Sequence, residues 1–258
     1  MGGLSLYRQV MRQFRRQVIL EELNKQQKKE LKQFSLKSKE ECIIYLQNII
    51  AIGVKTLDNH KRFLKELEEI ISQYQPDENI PYGIYSDIQN KISNVESYML
   101  NLWGDGQTSS ISYFKFRNLV DKLNKKSKLN VELYIMNEEE EKILRRFNLS
   151  RNWQNHIPES LLTSEIEMIK QGKAVGHTKN PIEVYFYDYV TYDYIVDLLK
   201  GVSNFHIKAQ IMLQCAKKDY SLLIGESVRI KKTYVDKPKD LDGMCATELS
   251  AKVQGLGS

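Results

Sequence analysis

The sequence predicts an all-α protein, a helical bundle in which two long N-terminal helices precede a C-terminal helical domain. Three observations carry that reading. Apolar residues recur at three- and four-residue spacing over long stretches, capping residues stand where those stretches begin, and Gly or Pro stands where they end. The chain of 258 residues is long enough to bury a substantial core without disulfide or metal support.

Composition narrows the class further. Cys42, Cys215 and Cys245 are far apart and odd in number, and they lack the paired spacing of a zinc site or a secreted disulfide framework. That usage fits a reducing cytoplasm, and no cofactor or metal is expected. No stretch reaches the roughly 18 uninterrupted apolar residues of a membrane span, and the run from Cys42 to Val54 is broken by Gln47 and Asn48. A membrane is therefore not among the expected partners. The net charge of +5, from 38 Lys and Arg against 33 Asp and Glu, permits a nucleic-acid partner without demanding one.

Taken in order, the first element is a basic amphipathic helix from Leu6 to about Phe34, with Leu6, Tyr7, Val10, Met11, Phe14 and Val18 on one face and Arg8, Arg12, Arg15 and Arg16 among them. Organelle-targeting segments share this pattern, but here it continues past Leu20 with no small-residue cleavage signal, so a structural helix is expected. Ser38 and Glu41 form a capping box that opens a second long helix, expected to end near Tyr74. Pro76 and Pro81, with Asp77 and Asn79 between them, make that stretch the expected domain boundary. The expected organisation is residues 1–75 as a long helical pair, 82–225 as the helical domain and 226–258 as a peripheral tail.

Within the helical domain, Ile84 to Trp103 and Ser109 to Lys126 read as helices separated by the Gly104-Asp105-Gly106 turn. Asn130 to Ile135 fits a short strand or a turn. Asn137 and four successive glutamates, with Arg145 and Arg146 following, place acids at the positive pole of a helix and bases toward its negative pole. Pro158 suits the first turn of a further helix with Leu161, Leu162, Ile166 and Ile169 on one face, closed by Gly172. Asn180, Pro181 and Glu183 predict a helix start that carries the Tyr-rich segment to Lys200, where Gly201 ends it. Asn204 is expected to cap a last helix to about Ile224.

The run Arg151-Asn152-Trp153-Gln154-Asn155-His156, with Pro158 beyond it, carries the chemistry. Five positions on a continuous helix would set Arg151 and His156 about 140° apart. Pro158 disfavours helical geometry at Ile157 and clashes with the carbonyl of Gln154, so the helix should open near His156 and let the imidazole turn toward Arg151. RNA supplies its own nucleophile in the 2′-hydroxyl, so cleavage needs a base near neutral pKa and charge stabilisation, but no metal. His156 suits the proton transfer, Arg151 the phosphate, and Asn152 the orientation of either. Arg145 and Arg146 could hold phosphates beside the site or could simply complement the helix dipole.

At these residues the sequence resembles the HEPN family of helical ribonucleases and nucleotide-binding domains, whose signature is an Arg, four to six residues and a His, often with a polar residue directly after the Arg. The resemblance implies an all-α domain, catalytic roles for Arg151, Asn152 and His156, a homodimer whose two motifs line one cleft, and a toxin–antitoxin or abortive-infection role in antiviral defence. RNA and an antitoxin or regulatory protein are the partners it implies. Some members have a Tyr two places after the His; this chain has Pro158 there, so control through that Tyr is not implied.

Two alternatives stand beside this reading. His156 could cap a helix end while Arg151 pairs with a carboxylate such as Glu159 or Glu165, leaving a non-enzymatic interaction or regulatory module. The opening Leu6-Tyr7-Arg8 is also similar to that of LYR-motif mitochondrial accessory proteins. His60, His177 and His206 have no ligand-spaced partners and read as structural or solvated, and Cys215 as a core residue. Tyr185, Tyr187, Tyr189, Tyr192 and Tyr194 could stack on bases or build an interface, with core packing expected for at least half of them.

Overall fold

The Ser38 hydroxyl accepts the Glu41 N–H at 3.3 Å and starts helix α1 (Lys39–Ser72), while the Glu41 carboxylate reaches back to the Lys37 N–H. The expected capping box is thus present, with its return bond one residue earlier than usual. The computed structural model describes residues 36–107, 110–155, 159–173 and 186–233; the predicted helix from Leu6 to Phe34, the Asn180-Pro181 helix start and the tail beyond 233 lie outside them.

After α1 come strand β1 (Asn79–Pro81), helix α2 (Tyr82–Gly104), helix α3 (Tyr113–Lys125), helix α4 (Glu138–Asn155), helix α5 (Glu159–Lys170), strand β2 (Tyr189–Thr191) and helix α6 (Tyr192–Ile224). The protein is all-α, with β1 and β2 paired antiparallel as a short ribbon, Ile80 opposite Val190 and Pro81 opposite Tyr189. Helix starts are again set by side chains. Ser112 caps α3 at Lys115 N, the Asn137 and Glu140 side chains accept each other's backbone N–H at 2.9 Å at α4, and Thr191 caps α6 at Tyr194 N. Gly225 ends α6 with φ of 77°, a left-handed cap that costs a glycine nothing.

Helix α1 buries Cys42, Leu46, Ile49, Gly53, Leu57, His60, Leu64 and Leu67, which return every three or four residues, and its most extensive partner is α6. The larger core gathers Leu46, Ile49, Trp103, Tyr113, Phe116 and Met212; a smaller one at the ribbon end gathers Leu64, Leu67, Ile80, Ile88, Ile92, Ile195 and Val202. α1 feeds both, as does α6. The stretch 76–81 therefore turns the chain within one compact unit that takes in α1, and it is not the domain boundary expected there.

Three further expectations are corrected. Gly201 does not end a helix: α6 runs unbroken through it, because Ile195, Val202, His206 and Ala209 keep one buried face on both sides. The described portion of the Tyr-rich segment is strand before it is helix, since Tyr189–Thr191 pairs with β1 from far away in sequence. Residues 130–135 form neither the strand nor the turn expected of them but an irregular stretch; the Asn124 side chain brackets Val131, donating to its carbonyl at 2.7 Å, and Leu129, Val131 and Met136 are buried.

The end of α2 crosses α4 closely. A Cβ on Gly104 would lie 2.4 Å from the Phe147 carbonyl carbon and 2.6 Å from the Asn148 nitrogen, and the Asn148 side-chain amide donates to the Gly104 carbonyl at 2.6 Å. Only glycine fits, because the obstacle is backbone. We expect Gly104→Ala to destabilise by at least about 1–3 kcal/mol. Gly83→Ala, whose Cβ meets nothing within 4 Å, should stay within about 1 kcal/mol of wild type. Paired thermal melts check both.

Candidate functional site

The crossing at Gly104 carries Asp105 and the last turn of α2 to the end of α4, where Arg151 stands. Arg151 is buried, and its guanidinium is held by three bonds: Nε to Asn101 Oδ1 at 3.2 Å, Nη2 to Asp105 Oδ2 at 3.3 Å and Nη1 to Asn152 Oδ1 at 3.4 Å. The ion pair with Asp105 is a single contact, with the two side chains 10% and 7% exposed, and it is longer than the 2.7–2.9 Å of a strong charge-assisted bond. Among the described residues two of the five guanidinium N–H groups, one on each Nη, are not used by these contacts.

Among the described residues the carboxylate that faces Arg151 is Asp105, and Glu165 is not among its partners; the Glu159 side chain lies outside them. Removing one partner of so buried a pair leaves the other charge uncompensated, a loss of about 3–5 kcal/mol in comparable cases. Asn152 is exposed and points its oxygen at Arg151. Arg145 lies one turn and a half earlier on α4, mostly exposed and paired with Glu141 at 3.3 Å, and Arg146 is exposed beside it. His156 lies outside the described residues. Asp105 and Asn101 were not singled out from sequence, where the Gly-Asp-Gly run signals only a turn.

A second polar cluster fills the interior between α3 and α6. Asp219 is fully buried and accepts from Tyr113 Oη at 2.6 Å, Tyr134 N at 2.7 Å and Arg117 Nη1 at 3.0 Å. Burial pushes the Asp219 carboxyl up, opposed by Arg117 and the other two donors. Every oxygen is satisfied, so the cluster ties the 130–135 segment to the core and offers nothing to a ligand. Glu140 and Lys218 pair at 3.2 Å beside it, with Lys218 over the Tyr134 ring. Cys215 is in the core, as expected.

His60 and His206, both read as structural or solvated, prove to be partners. Their Nδ1 atoms are 3.0 Å apart, His60 Nε2 is 3.4 Å from Glu96 Oε1, and His206 Nε2 is 3.1 Å from Gln210 Nε2. With Glu96 as a carboxylate one neutral assignment meets every contact: His60 Nε2–H donates to Glu96, His206 Nδ1–H donates to His60, and Gln210 donates to His206 Nε2. His206 borders an open groove of about 560 Å³ between α1 and α6, lined also by Leu57, Lys61, Gln210 and Gln214.

The Tyr-rich segment departs from the packing expected of it. Tyr187, Tyr189 and Tyr194 are 64%, 59% and 53% exposed and Tyr192 is half-buried, while Tyr185 lies outside the described residues. Among the described residues no group of His, Cys, Asp or Glu is arranged to hold a metal ion, and no helix is long and apolar enough to cross a membrane. No protein-family model, curated protein or solved structure matches the chain.

His206 gives stability a pH dependence. Burial, then His60 and Lys61, lowers the His206 pKa below its ordinary 6.5. The unfolded chain therefore takes up a proton first, and stability held above about pH 6.5 is lost as pH falls toward the folded-state value. Urea unfolding at pH 7.5 and 5.5 should give a lower midpoint at the acid pH, and His206→Gln should shrink the difference.

Proposed function

We propose that the chain is a metal-independent endoribonuclease of the HEPN type, acting in a toxin or phage-defence role, in which Arg151 holds the scissile phosphate and His156 moves the proton. The observation that carries this reading is the brace on Arg151. Asn101 and Asp105 fix the guanidinium through single, rather long contacts, and the N–H groups left over are those a phosphate oxygen would take. Pre-positioned charge of this kind costs no reorganisation as the phosphorane forms. Asn152, exposed beside it, would help orient the substrate, and Arg145 and Arg146 would meet the flanking backbone.

In this reading the 2′-hydroxyl attacks the adjacent phosphorus with loss of its proton to a base, and the 5′-oxygen leaves with a proton returned to it. His156 serves one or both transfers. The product carries a 2′,3′-cyclic phosphate. The homodimer and an antitoxin or regulatory partner belong to the same proposal.

A second reading, a non-enzymatic helical interaction module, is favoured by the burial of that same ion pair and by α5, whose Leu162, Ile166 and Met168 are 59%, 51% and 46% exposed. In that case Arg151 and Asp105 only pin α4 to α2.

Incubation of the purified protein with mixed RNA in EDTA separates the readings. We expect cleavage by wild type and a loss of about 100-fold or more in His156→Ala and Arg151→Lys, with melting temperatures near wild type for His156→Ala. Equal cleavage by wild type and His156→Ala removes His156 from the mechanism; an inactive wild type that retains a stoichiometric protein partner supports the module.

A further inference from the structure

The ribbon end of the molecule presents an aromatic surface that the Arg151 reading does not use. Register turns Ile80 and Val190 into the smaller core and leaves Pro81 and Tyr189 opposite each other on the outer side. The Tyr82 N–H donates to the Asp188 carbonyl at 2.9 Å, which draws Tyr187 against the start of α2. The result is a chain of ring contacts, Tyr187 to Tyr82 at 6.4 Å, Tyr82 to Tyr85 at 5.5 Å and Tyr85 to Tyr194 at 5.5 Å, the last pair also joined through their hydroxyls at 3.2 Å. Phe186 beside it is 90% exposed. Aromatic area held in place by backbone yet left in water marks a binding surface.

Charge identifies the occupant. In a chain of net charge +5, the two stretches that carry the ribbon and its tyrosines, residues 73–90 and 186–199, contain six acids and no Lys or Arg. Asp188 and Asp193 are exposed next to Tyr187 and Tyr194 in sequence, and exposed Asp87 follows Tyr85 by two positions, whereas Asp197 is taken up by Lys200. A phosphate backbone would be repelled here. A guanidinium suits both features, since it stacks on an electron-rich ring face while its N–H edge reaches a carboxylate.

We propose that this ribbon surface docks an arginine-rich segment of a partner protein, with guanidinium groups laid over the tyrosine row and paired to Asp188 and Asp193. The surface is independent of Arg151 and would serve either reading of that site.

Fluorescence anisotropy of the full chain with a labelled Arg-Gly repeat peptide at physiological salt tests it. Saturable micromolar binding is expected, weakened about fivefold or more both by Tyr187→Ala with Tyr189→Ala and by Asp188→Asn with Asp193→Asn. Glu138→Gln with Glu139→Gln, exposed acids on α4, should leave it unchanged. All these side chains are exposed, and circular dichroism melts verify that the variants fold. The proposal is overturned by absence of saturable binding, by binding that the tyrosine variant retains, or by equal affinity for a Lys-Gly peptide. Tighter binding of a labelled oligouridylate that the tyrosine variant loses would overturn it in favour of a single-strand RNA surface.

Discussion

Where two helix backbones touch, nothing can be placed between them, and the contact of Gly104 with Phe147 and Asn148 imposes that condition on α2 and α4. It fixes how far α2 runs before it must turn, and so where Asp105 stands. It also fixes the end of α4 against that turn. The bonds from Arg151 to Asn101 and Asp105 follow from this approach, because a helix spacing even a side chain wider would leave the guanidinium short of both acceptors. The geometry on which any chemistry of Arg151 rests is thus decided by a residue with no side chain.

Much of the helical plan was legible because its causes are local. Ser38, Asn137 and Pro158 announce helix starts through bonds or ring constraints that span a few residues, and the periodicity of α1 is visible without its partners. What was not legible depends on sequence-distant contacts. The Tyr-rich segment gives up helix for strand because Asn79–Pro81 offers it a ladder, and Gly201 is carried through α6 because buried side chains on both sides outweigh the roughly 1 kcal/mol a mid-helix glycine costs. Of the candidate site, Arg151 and Asn152 were visible as residue types. Their dependence on Asp105 and Asn101 was not, since no spacing rule links residues almost fifty positions apart. The pairing of His60 with His206 was hidden for the same reason.

The polar interior divides into networks with different duties. The Asp219 cluster closes on itself, each oxygen met by a donor, and anchors an irregular stretch that has no ladder of its own. The Arg151 set is looser, with longer bonds and, among the described residues, guanidinium donors to spare. That contrast, between a network finished within the fold and one with donors left over, is the physical basis for reading the first as structural and for proposing chemistry at the second.

Helix α6 extends for 33 residues, about 50 Å at 1.5 Å per residue, and serves both cores. Gly201 sits on it near the seam between them, with nothing within 4 Å of where a Cβ would be. Among the described residues no side chain covers the helix on the Gly201 face, so that turn is held by the buried face of Ile195 and Val202. Should the rod fray internally, that turn opens first, and the two halves of the molecule would then exchange their amide protons as separate cooperative units rather than as one.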